Sequence, residues 1–129
     1  WLYFDGNGYA KSGNVTPEEY LMNVKCQIYT AIIHVSTGIL FWNDWSETPE
    51  VFDRLIPLLV ELKQNLDIIK LDTLEKDIDG DKHIAIKGNN KEKYIIASNT
   101  SKTDTITIKP HKGITLKLAP LETIITRLK

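Results

Sequence analysis

Near residue 70 the apolar residues of this chain change their spacing from a helical period to a strand period. That switch constrains the fold more than any single motif, because a helical stripe needs a layer to pack on and alternating segments need a sheet to join. Before it, Leu21, Val24, Ile28, Ile32 and Val35 recur three or four apart, with Met22, Cys26, Tyr29 and Ile33 beside them. An apolar arc that wide predicts a helix buried on more than one side. After it, Ile84 and Ile86 share a face, Tyr94 to Asn99 reads as a more buried strand, and Thr105 to Ile108 and Ile114 to Leu118 alternate. Glu122 to Leu128 supplies a last strand, and Gly88-Asn89-Asn90 and His111-Lys112-Gly113 supply turns. The boundary falls near residues 67 to 72, giving two domains, 1–69 and 70–129.

The helix starts are legible from local chemistry. In Thr16-Pro17-Glu18-Glu19, Thr16 serves as N-cap, Pro17 loses no needed N–H at the first helical position, and Glu19 completes a capping box. Thr48 and Pro49 repeat the pattern, followed by a stripe of Val51, Phe52, Leu55, Leu59, Leu62 and Leu66. Pro57 lies inside this second helix and predicts a kink rather than a break, since the apolar spacing passes through it in phase. Glu50 and Arg54, four apart, are placed to pair on its outer face.

Two short apolar runs complete the first half. Trp1 to Phe4 ends at the turn signal Asp5-Gly6-Asn7-Gly8, and Ile39 to Trp42 is continuous rather than alternating. The second suits a parallel strand covered on both faces. Two strand–helix units cannot close a parallel sheet alone, so further chain is expected to complete it. The start at Trp1, inside an apolar run, is read as the middle of a longer protein.

The 129 residues carry a formal charge of −1 with interspersed lysines and acids. Neither a basic stripe for nucleic acid nor a polybasic patch for a membrane surface is present, and no apolar run reaches the ~18 residues of a membrane span. The lone Cys26 reads as a buried, inert thiol. Asn14-Val15-Thr16 and Asn99-Thr100-Ser101 are sequons of the sort that arise often by chance. Asp77-Ile78-Asp79-Gly80-Asp81 misses the spacing of a calcium loop and reads as a hairpin turn. His34 reads as a satisfied structural histidine at the buried end of the first helix. No metal or cofactor is expected.

The order of these features resembles that of glycoside hydrolases. Tyr29-Thr30-Ala31-Ile32-Ile33-His34, then Thr37-Gly38-Ile39-Leu40-Phe41-Trp42, then a helix with Leu55, Leu58 and Glu61-Leu62 is similar to the last two βα units of their (β/α)8 barrels. Tyr94 to Ser101 and Leu118 to Leu128 look like the β-sandwich that commonly closes such enzymes. The resemblance implies α/β plus all-β architecture: the final βαβα of a TIM-type barrel, then a small antiparallel β-sandwich. The upstream part of the same barrel would be one partner and an oligosaccharide or polysaccharide the other, with a secreted or periplasmic location implied by that substrate class.

It also places the chemistry. Glycoside hydrolysis normally draws on two carboxyl groups ~5–9 Å apart, and the resemblance puts one of them at the end of the seventh strand, where Asp5 stands in place of the family's usual Glu. The ordinary role of Asp5 is turn formation before Gly6. Trp42, at the end of the eighth strand, is the expected sugar-stacking residue, with plain core packing as the alternative. Asp44 and Trp45, just beyond, extend the subsite or else lid the top. With at most one of two carboxylates, the chain is expected to be catalytically silent alone. The rival reading is a non-enzymatic module binding glycan or a protein partner; a third is an inactive, structural remnant.

Overall fold

The computed structural model describes residues 2–5, 16–42 and 49–128. In chain order these form strand β1 (Leu2–Asp5), helix α1 (Pro17–Ile33), strand β2 (Ile39–Trp42) and helices α2 (Pro49–Gln64) and α3 (Leu66–Ile69). Strands β3 (Asp72–Asp79), β4 (Lys82–Gly88), β5 (Lys93–Asn99), β6 (Ile106–His111), β7 (Ile114–Leu118) and β8 (Thr123–Leu128) follow.

α1 begins where its capping residues dictate. Thr16 Oγ1 accepts the Glu19 amide at 3.2 Å while Glu19 Oε2 accepts the Thr16 amide at 2.8 Å, satisfying two donors that a first turn otherwise leaves orphaned. At the other end the Ser36 amide donates to Ala31 O and the Val35 amide to Ile32 O, at 2.8 and 3.0 Å. This is the two-bond closure that usually carries glycine in the left-handed position; here Val35 occupies it, at φ 64°. α2 continues through Pro57 as one helix. Arg54, read in sequence as a partner for Glu50, donates across to Glu18 Oε1 of α1 at 2.6 Å. The expected cap Thr48 lies outside the described residues.

Three sheets are present among the described residues. β1 and β2 pair in parallel, β3-β4-β5-β8 form a four-stranded antiparallel sheet, and β6 and β7 form an antiparallel pair. The register of the large sheet sorts its residues cleanly. Ala85, Ile96 and Ile125 are cross-strand neighbours on one face, and Ile84, Ala97 and Ile124 on the other. The first face packs with Val24, Ile28, Tyr29 and Ile32 of α1 and with Leu55 and Leu58 of α2. The second packs with Ile108 and Leu118 of the β6–β7 pair. The result is three layers, helices, sheet and hairpin, which explains why β4 and β5 each carry five consecutive buried residues. Val24, Ile28 and Ile33 are fully buried, each contributing roughly 1.5–3 kcal/mol of apolar transfer.

β3 is the exposed edge of this sheet, and its charges, Glu75, Lys76, Asp77 and Asp79, suit an edge that must not pair with another chain. The Asp79-Gly80 segment is a hairpin turn with Gly80 at φ 54°, and Lys82 Nζ lies 2.9 Å from Asp77 and 3.8 Å from Asp79. The acidic run thus serves a turn and a local ion pair.

The barrel expectation is overturned. Most of the strand residues described belong to antiparallel sheets, parallel pairing among them is confined to β1 and β2, and no repeated βα succession of a barrel is formed. The physical reason lies in α1. Its wide apolar arc, which suits a helix covered by a barrel wall, is covered here by the antiparallel sheet through Ala85 and Ile96. A helical period reports that a face is buried, not which layer buries it.

Candidate functional site

Asp5 and Trp42 close β1 and β2. Because the two strands run in parallel with Leu2 opposite Ile39, the register carries through to Asp5 opposite Trp42. The acid and the indole-bearing residue are therefore neighbours at the carboxyl ends of adjacent parallel strands, the edge from which ligand-contacting loops commonly leave such strands. Asp44 and Trp45 lie outside the described residues, as does Asn14 of the first sequon.

A polar cleft of about 290 Å³ opens between the helices and the large sheet, lined by Lys25, Tyr29, Glu61, Asn65, Tyr94 and Arg127 among others. On its wall the Glu61 carboxylate is held by two donors from α1. Oε1 accepts the Tyr29 hydroxyl at 2.8 Å, and Oε2 accepts Lys25 Nζ at 2.9 Å. The Tyr29 ring is fully buried, and burial, reinforced by the adjacent carboxylate, raises its hydroxyl pKa. Asn65 Nδ2 donates to the Glu61 carbonyl at 3.0 Å. Each carboxylate oxygen accepts a bond from α1, so Glu61 clamps α2 to α1.

Two further constellations were not visible in the sequence. His34, read as lying at the buried end of the first helix, is exposed and caps α1, where its Nε2 meets His83 Nδ1 of β4 at 3.1 Å. His83 Nε2 lies 3.5 Å from the Thr100 hydroxyl, which donates to Asp81 Oδ1 at 2.9 Å. Burial, then the neighbouring His34, lowers the His83 pKa, and Asp81 opposes both. The residues concerned are 49 positions apart in sequence, beyond the reach of any local pattern.

The other is Asn99, fully buried at the end of β5. Its Nδ2 donates to the carbonyls of Asp104, Leu118 and Ala119 at 2.7, 3.1 and 2.9 Å, and its Oδ1 accepts the Ser101 amide at 3.0 Å. The nitrogen to which a glycan would attach is committed to the fold, so the second sequon is a structural asparagine. Cys26 is buried, as expected, and donates its thiol to Asn99 O at 3.3 Å; burial raises its pKa, which keeps it an unreactive thiol.

Among the described residues no group of three His, Cys, Asp or Glu side chains is arranged to hold a metal ion. Comparison with protein-family models, curated proteins and solved structures finds no match to this chain.

Proposed function

We propose that this chain is the carbohydrate-recognising part of a carbohydrate-active protein, with Asp5 and Trp42 as its sugar contacts. The observation that carries this reading is their register pairing at the carboxyl ends of two parallel strands. An indole face stacks on the apolar side of a pyranose ring, and a carboxylate beside it accepts bonds from the ring's hydroxyls; binding sites combine an aromatic surface with a few placed polar groups in this way. Asp44 and Trp45, the other aromatic and acidic residues of this stretch, follow Trp42 within three positions of sequence.

Hydrolysis draws on two carboxyl groups, and among the described residues Asp5 is the carboxylate at the end of this strand pair. We therefore read the isolated chain as a binder, with Asp5 as one of two catalytic carboxylates only where a longer protein supplies the other. Isothermal titration of the chain with a panel of oligosaccharides tests the reading. Binding to at least one glycan, weakened ten-fold or more by Trp42→Ala and by Asp5→Asn, supports it; binding unaffected by both substitutions removes these residues from the site.

A further inference from the structure

The helix-facing side of β4 ends on a buried charge. Lys87 is 6 % exposed, and its Nζ donates to Leu71 O, just beyond α3, at 2.9 Å. An ammonium carries three donors, and this carbonyl engages one of them. Burial lowers the Lys87 pKa while Asp72 partly offsets it.

Beside this ammonium lies a cavity of about 440 Å³ whose wall is chiefly apolar, with Ile32, Val35, Leu66, Ile69 and Leu71 on it and Lys87 and Lys70 supplying positive charge against one carboxylate, Asp72. The volume falls within the ~300–1,000 Å³ usual for small-molecule sites. The apolar wall continues along Ile32, Leu62, Leu66 and Ile69 into an adjoining groove of about 270 Å³. Leu66 is 40 % exposed although it lines both spaces, so its apolar surface is available to a ligand. Val35, on the same wall, holds a left-handed backbone that a glycine would adopt without strain; as valine it adds apolar surface to the cavity.

We propose that this cavity binds a small amphiphilic carboxylate, its aliphatic chain along Ile32, Leu66 and Ile69 and its carboxylate on Lys87 Nζ. The carboxylate pairs with the ammonium at the cavity wall, and the chain covers the exposed leucine. The pairing of one buried cation with an apolar trough selects an acid over an alcohol of the same length. The site lies at the α1–α3–β4 junction and is independent of the sugar contacts proposed above.

Octanoate is the probe, titrated into the chain by calorimetry alongside octanol. The expected result is saturable octanoate binding at least ten-fold tighter than octanol binding, reduced ten-fold or more in Lys87→Met and also in Leu66→Gln, whose exposed position leaves the core intact. Circular dichroism establishes that each variant is folded; if Lys87→Met is not, the octanol comparison and Leu66→Gln decide. Absence of octanoate binding, equal affinity for the alcohol, or binding unchanged in Leu66→Gln overturns the proposal.

Discussion

His34 Nε2 and His83 Nδ1 lie 3.1 Å apart, joining the C-cap of α1 to β4. One ring nitrogen must donate and the other accept, so the bond exists only while at least one ring is neutral. His83 has a folded pKa below its ordinary 6.5, through burial and the neighbouring His34. Between the two values the unfolded chain binds the proton more readily, so the contribution of the neutral His83 is full above about pH 6.5 and is lost as pH falls through the folded pKa. Urea unfolding at pH 7.5 and pH 5 measures this: the wild type is expected to lose more stability on acidification than His83→Gln.

The clamp on Glu61 predicts a stability loss that exceeds that of its ion pair. Lys25 and Glu61 are each about one-third exposed, so their attraction is worth ~0–1 kcal/mol. The Tyr29 hydroxyl, however, is attached to a fully buried ring. Glu61→Ala strands it, at a cost of roughly 1–3 kcal/mol, whereas Glu61→Gln retains an acceptor. Chemical denaturation should rank them wild type, Gln, Ala; a Gln variant as weak as Ala would contradict the clamp.

Asn99→Asp tests the buried amide hub. The aspartate is nearly isosteric but cannot donate, so the carbonyls of Asp104, Leu118 and Ala119 lose their shared partner and face a carboxylate. Each stranded group costs roughly 1–3 kcal/mol, and the thermal midpoint should fall by several degrees. An unchanged midpoint would show that the hub contributes nothing.

Val35→Gly is expected to stabilise the chain. Valine at φ 64° is held where a β-branched residue is rare, and its side chain is 56 % exposed, so little packing is lost. Relief of ~1 kcal/mol should raise the thermal midpoint, against the usual direction for a change to glycine.

What the sequence made legible was local. The Thr16–Glu19 box and the turns at Gly80 and Gly113 are written in adjacent residues, and α1 starts at that box. The partners of the apolar faces were not legible. α1 was read against a barrel wall, yet Val24 and Ile28 share a cluster with Ala85 and Ile96, far away in sequence. β3 escaped notice because its residues are nearly all exposed and lack alternation; its strand character comes from backbone pairing with β4. At the candidate site, Asp5 and Trp42 were singled out through the barrel resemblance as strand-end residues, and their direct register pairing follows from the parallel alignment of β1 and β2.

The most direct test of the sugar-binding account is the indole N–H signal of Trp42 in a nitrogen-15 NMR titration of the isolated chain with the glycan that binds most tightly in the oligosaccharide panel. The account predicts a saturable shift of the Trp42 signal, with one dissociation constant shared by neighbouring backbone amides and no product formed. A Trp42 signal that stays fixed while the glycan saturates shifts elsewhere in the chain would contradict it.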